Sequence, residues 1–242
     1  MTQLSQPPLS VVMPAYREAE NLELLLPRLR ATLSSIGTEG EILVVDAEER
    51  LDATAEVCKR HGATHLPRRG GPLYGHAVRT GIAASRGQWV VLMDSDGSHD
   101  PEFIATLWQH REEADLVIAS RYIAGGQTEN TPLLIWMSHT VNIIFRLVLG
   151  LKVADVSNSF RLYRGDDLRA LSLKCQHFDI VEEILVKLAF GHRNYSILEV
   201  AAVFRRRQEG KTKRQLLRFA VGYAFTLGRL WLLKMQTLLQ RH

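Results

Sequence analysis

Strand-like and helix-like segments alternate strictly through the first 120 residues, and that order leaves few architectures open. Leu9 to Met13 reads as a buried strand ended by Pro14. Glu18 to Leu33 is helical, with Leu22, Leu25, Leu26, Leu29 and Leu33 recurring on one face. Glu41 to Asp46 is a second strand that ends in an acid. A helix over Leu51 to His61, closed by Gly62, leads to a short strand over Thr64 to Leu66. Tyr74 to Ser85 is helical, Gln88 to Asp94 extended, Pro101 to Glu113 helical and Asp115 to Ser120 extended. Strands that take turns with helices in this way predict an α/β fold, a parallel sheet with helices on both faces.

The second half changes character. Helices are expected over Pro132 to Leu149, Phe178 to Phe190 and Gln215 to Leu239, and a strand over Ile197 to Phe204. Gly125 to Asn130 reads as a mobile loop. No run of 18 or more apolar residues is free of charge, so no membrane-crossing helix is expected. Met1 to Leu9 lacks the basic and apolar regions of a signal peptide. Cys58 and Cys175 show no metal spacing or disulfide framework, which suits core thiols in a reducing, cytoplasmic setting. Charge is uneven: residues 205–242 hold ten Lys or Arg against one Glu, a net of +9, while residues 1–204 net −5. A basic segment of this kind suits an anionic partner such as membrane lipid, a phosphorylated substrate or nucleic acid.

Asp94-Ser95-Asp96 stands where the strand Gln88 to Asp94 runs out. Ligand sites of open α/β sheets lie at the carboxyl ends of strands. Two ionised carboxylates two residues apart repel unless a cation sits between them. Oxygen ligands suit Mg²⁺ or Mn²⁺, held by carboxylates together with substrate phosphates. The competing reading is a solvated turn or a cap, and Asp100-Pro101 has the look of an N-cap followed by a first-turn proline.

The order of motifs resembles family 2 glycosyltransferases of the GT-A fold, a Rossmann-like sheet that binds nucleotide sugars. Val11 to Glu18 is similar to the family's opening strand. Gly75 to Gly81, Asp94-Ser95-Asp96 and Ser120-Arg121-Tyr122 follow in order. Asp155 to Arg161 and Phe204 to Lys213 are most similar to the polyprenyl-phosphate hexose transferases. The resemblance implies roles. Pro14, Ala15, Tyr16, Glu18, Asp46 and Arg79 would bind the nucleotide sugar, with Asp94 and Asp96 holding Mg²⁺ or Mn²⁺ on its diphosphate. Arg121, Ser138, Arg161, Arg207 and Lys213 would take donor or acceptor phosphate, and Asp96, Arg121, Arg207 and Lys213 would carry catalysis. For Asp46 a helix-capping role, for Glu18 a first-turn acid and for Glu183 an exposed helix acid remain open beside these. Transfer would invert the anomeric carbon, with a polyprenyl phosphate as acceptor.

Three positions depart from the family pattern. Asp46 to Asp52 lacks the usual Asp-Asp-Gly-Ser, Ser98 replaces an amide ligand that His99 or water would have to make good, and Ser159 stands where the family carries Gly. Residues 1–214 are expected to form the transferase domain and 215–242 a basic amphipathic helix. That helix, with Trp231, Leu227 and Leu238 beside Arg229 and Lys234, suits a peripheral position on the cytoplasmic face of a membrane, and Pro132 to Leu149 offers a second such surface. Packing on the domain or a dimer contact is the alternative. A soluble or glycan acceptor, or a non-catalytic binding protein, are the rival functions. No basic surface interleaved with aromatics supports nucleic acid.

Overall fold

The computed structural model describes residues 7–205 and the helix over 216–239, with that helix's side chains from residue 225 on. The strands are β1 (Leu9–Pro14), β2 (Glu41–Asp46), β3 (Thr64–Pro67), β4 (Trp89–Leu92), β5 (Leu116–Ser120), β6 (Gln127–Thr128), β7 (Arg161–Arg164), β8 (Ile197–Ala201) and β9 (Val203–Phe204). The helices are α1 (Ala19–Ser35), α2 (Thr54–Arg60), α3 (Tyr74–Ala84), α4 (Phe103–Gln109), α5 (Pro132–Leu149), α6 (Gly165–Arg169), α7 (Ile180–Gly191) and α8 (Leu216–Leu239).

The main sheet has seven strands in the order β3-β2-β1-β4-β7-β5-β8. It is parallel except for β7, which enters antiparallel between β4 and β5 and pairs Leu92 with Arg161 and Ile118 with Arg161 on its two sides. That strand was not foreseen. Its sequence, Arg-Leu-Tyr-Arg, has charged ends and reads as surface, yet the sheet buries Arg161, Leu162 and Tyr163. The expected strand over Ile197 to Phe204 breaks at Ala202. There the chain donates the Ala202 N–H to Ser120 O and leaves the main sheet. The remainder pairs as β9 with β6. Gln127 and Thr128 are therefore tied into a ladder, which corrects the expectation of a mobile loop.

Strands buried on both faces carry near-continuous apolar runs, as β1 does with all six residues buried. One core lies between the sheet and α1, α2 and α4, where Leu22, Leu25, Leu26, Leu29 and Leu33 meet Val11 and Met13. The other lies on the opposite face, beneath α3, α5, α7 and Leu230 of α8. Both cysteines are core thiols. Burial pushes them up, Cys58 to about 12, so neither is a ready nucleophile.

The expected absence of a membrane-length helix needs correction. Among the described residues one helix, α5, is long and apolar enough to cross a membrane, and only 17% of it is buried. Its single charge, Arg146, sits in the last turn, where a long side chain can reach polar surroundings. Asn142, Phe145 and Leu149 dock one face of α5 on the domain. Trp136 and Leu147 stand 67% and 70% exposed on the rest.

Candidate active site

The carboxyl ends of β1 and β4 and the start of α3 enclose a cavity of about 430 Å³. Pro14, Ala15, Tyr16, Glu18, Asp94 and Asp96 line it, so six of the residues singled out in the sequence come together. Ala77, Ser95 and Phe204, which belong to the motifs read in the sequence, also line it, and Arg68, Pro72, Leu73, Tyr74, His177 and Phe178 complete the wall and were missed. Arg68 follows β3 as Asp46 ends β2, and position after a strand was the signal that would have found it.

Arg68 is buried, and its guanidinium donates to three main-chain carbonyls. Nε reaches Asp46 O at 3.0 Å, Nη1 reaches Pro72 O at 2.7 Å, and Nη2 bonds Ala15 O. The cation thus fastens the ends of β1 and β2 to the loop before α3. Burial lowers its pKa, yet an Arg remains charged. It also lies 5.6 Å from the Tyr16 ring centroid. Asp46 is buried just behind it, with Oδ2 3.5 Å from His65 Nε2 and Oδ1 without a partner among the described residues.

The loop after β4 holds its two acids in different ways. Asp94 Oδ1 accepts the Tyr74 hydroxyl at 3.0 Å. Asp96 Oδ1 accepts both the Ser98 N–H at 3.0 Å and the Ser98 hydroxyl at 2.6 Å. His99 cannot replace the missing amide ligand, because it is buried and both ring nitrogens are engaged. Nδ1 accepts the Asp94 N–H at 3.0 Å, which puts the ring proton on Nε2, and Nε2 donates to Asn158 Oδ1 at 3.1 Å. Phe160 stacks on the ring at 4.7 Å and Phe204 meets it edge-on at 5.5 Å. Asp100 is not an N-cap. Its carboxylate pairs with Arg28 and with Arg205 at 2.7 Å, and α4 begins only at Phe103.

Burial pushes the Tyr74 phenol well above its usual range, and the neighbouring Asp94 carboxylate pushes the same way, so it stays a donor. Its ring stacks on Phe178 with centroids 4.2 Å apart.

Other expected site residues lie elsewhere. Arg161 is fully buried, with its guanidinium on the Val156 and Val181 carbonyls, so it is not a phosphate contact at the cavity wall. Arg121 forms a two-point ion pair with Asp155, at 2.8 Å for each bond, behind Phe204. Burial pushes the Asp155 carboxyl up, but the guanidinium outweighs this and holds it below the usual range. Arg79 is bound to Cys175 O, outside the cavity wall. Ser138 lies within α5, where its carbonyl accepts the Asn142 amide at 2.8 Å. Glu183 is not exposed. It is buried and accepts the N–H groups of Lys174 at 2.9 Å and Cys175 at 2.7 Å. In the altered segment after β2, Asp52 accepts the N–H groups of Ala19 and Thr54, each at 3.0 Å, and so pins the starts of α1 and α2. Arg207 and Lys213 lie outside the described residues. Arg205, two residues before Arg207, docks its N–H on Ser98 O at 3.0 Å.

Among the described residues no three His, Cys, Asp or Glu cluster to hold a metal ion by themselves. Asp94 and Asp96 are hard oxygen donors facing one cavity, and they fit a divalent ion whose remaining ligands come from a diphosphate and water.

The comparisons agree with this geometry. Residues 10–172 match the description of glycosyl transferase family 2. The chain is 33% identical over 217 residues to undecaprenyl-phosphate mannosyltransferase of Micrococcus luteus, covering 84% of this chain and 85% of that one. It is 30% identical over 226 residues to polyprenol monophosphomannose synthase of Mycolicibacterium smegmatis, covering 84% and 79%. Among solved structures, glucosyl-3-phosphoglycerate synthase of Mycobacterium tuberculosis with uridine diphosphate superposes with a TM-score of 0.69 at 18% identity, over 93% of this chain and 80% of that one. The same enzyme with Mn²⁺, uridine diphosphate and glucosyl-3-phosphoglycerate gives 0.64 at 20% identity, over 97% and 80%. At that identity the likeness speaks for the fold, which is GT-A. The chain is a glycosyltransferase and belongs to glycosyl transferase family 2.

Proposed function

We propose that this glycosyltransferase moves a hexose, mannose in the first instance, from a GDP- or UDP-sugar to a polyprenyl phosphate, with inversion at the anomeric carbon. The observation that carries the reading is the cavity at the ends of β1 and β4, where Asp94 and Asp96 face Arg68 and Tyr16. Its volume of about 430 Å³ suits a small-molecule donor. The names of the two mannosyl relatives support the sugar and the lipid acceptor.

Asp94 and Asp96 would hold Mg²⁺ or Mn²⁺ against the donor diphosphate. That ion would supply charge stabilisation to the leaving nucleoside diphosphate. Arg68 adds a fixed positive charge at the cavity wall, hydrogen-bonded to three carbonyls with Asp46 behind it, where it can offset charge on the leaving diphosphate. An oxygen of the acceptor phosphate forms the new bond to the anomeric carbon as the bond to the diphosphate oxygen breaks. That acceptor is already anionic at neutral pH, so no residue has to serve as a strong base. Arg207 and Lys213, by their match to the family's phosphate-binding pattern, would serve as acceptor-phosphate ligands.

Residues 1–214 form the transferase domain in this reading, and the helix in 215–242 joins α5 in contacting the membrane face. A helix docked by Asn142, Phe145 and Leu149 lies along that face rather than across the bilayer. The test is transfer in the presence of Mn²⁺ by the natural chain and by Asp96→Ala. The variant should melt normally and lose metal-dependent transfer; retained transfer overturns the metal assignment.

A further inference from the structure

Tyr74 opens α3 and is held from three sides. Its ring lies against Phe178, with centroids 4.2 Å apart and planes 21° from parallel. The turn beside it is fixed by the Gly75 N–H, which donates to Gln176 O at 2.8 Å. That turn is so close that a Cβ at Gly75 would lie 2.5 Å from Cys175 O. The Cys175 end is held in turn by Glu183. The phenol donates its proton to Asp94 Oδ1 at 3.0 Å.

We infer that Tyr74 is a positioning residue: through its hydrogen bond to Asp94 it fixes the rotation of the carboxylate that receives the divalent ion. The inference rests on the divalent-ion reading of Asp94 and Asp96. Groups that hydrogen-bond a metal ligand from outside set its orientation and basicity, and their loss typically weakens metal binding 10- to 100-fold. Tyr74 can do this because its ring is locked by Phe178 and its backbone by Gln176. Its hydroxyl therefore has one place to point. Asp96 has its own holder in Ser98, which leaves the two ligands independently adjustable.

The experiment is Mn²⁺ titration of the full chain, saturated with GDP or UDP, followed by electron paramagnetic resonance. Tyr74→Phe keeps the ring and its stack and removes only the hydroxyl. It should weaken Mn²⁺ binding roughly tenfold or more and recover transfer as Mn²⁺ is raised to saturation. Phe178→Leu, which removes the ring stacked on Tyr74, should shift Mn²⁺ affinity in the same direction by less, and it answers the question if Tyr74→Phe does not fold. Asp94→Asn is the control. Wild-type Mn²⁺ affinity in Tyr74→Phe and Phe178→Leu, with binding lost in Asp94→Asn, overturns the positioning role alone. Mn²⁺ binding intact in Asp94→Asn overturns the ion site and the inference with it.

Discussion

Arg68 shows how much one buried cation can do at the residue scale. Its three hydrogen bonds go to carbonyls at the ends of two strands and a loop, and removing it would leave those oxygens without their charged donor. Arg68→Met should cost roughly 3 kcal/mol in urea unfolding and raise the donor KM severalfold. A variant with wild-type stability and KM would contradict that role. Single residues were also where the sequence was least legible. Asp94 and Asp96 were legible at a visible strand end, and Pro14, Tyr16 and Glu18 through the family resemblance. Arg161, Glu182 and Glu183 were not, because the pattern shows charge without the partners that allow burial. Glu183 is satisfied by main-chain N–H groups of Lys174 and Cys175, nine and eight residues away, and no spacing rule signals such a contact.

At the scale of elements, local pattern gave β2 and α5 their full bounds, since β2 is an apolar run between two acids and α5 runs from a first-turn proline to the C-cap Gly150. It missed β7 because a four-residue strand inserted between β4 and β5 is chosen by the gap in the sheet, not by its own sequence. It also undervalued α5 by treating one terminal Arg as disqualifying. The outer face of this helix is the element whose chemistry is least suited to water, with Leu133, Trp136, Ile143, Ile144 and Leu147 all exposed. On α8, Phe225, Leu232 and Leu239 form a comparable stripe. Trp136→Glu combined with Leu147→Glu should leave the melting temperature unchanged and release the protein from anionic vesicles in a flotation assay. Undiminished flotation would remove α5 from the membrane face.

At the scale of the whole molecule, two cores sandwich one sheet, and the side carrying α7 encloses a carboxyl group in apolar surroundings. Burial pushes Glu182 up to about 8, with Oε2 lacking a partner among the described residues. The folded state therefore binds its proton more tightly than the unfolded chain does. The stability tied to that proton is full below the ordinary glutamate pKa and is lost as pH rises toward and through about 8. Glu182→Gln should remove this loss. Its advantage over the natural chain should grow between pH 5 and 8 by up to about 1.4 kcal/mol per pH unit. A gap that does not change with pH, measured by denaturant unfolding, would contradict a neutral Glu182.

The most direct measurement of the central claim is sugar transfer to lipid. The protein is incubated with Mn²⁺, a polyprenyl phosphate and, in separate reactions, labelled GDP-mannose, UDP-glucose or UDP-N-acetylglucosamine, and label is counted in the organic phase. Lipid-extractable label from one donor, GDP-mannose first, is the result expected of a polyprenyl-phosphate hexosyltransferase. Donor binding or hydrolysis with no label in the organic phase from any donor would contradict it.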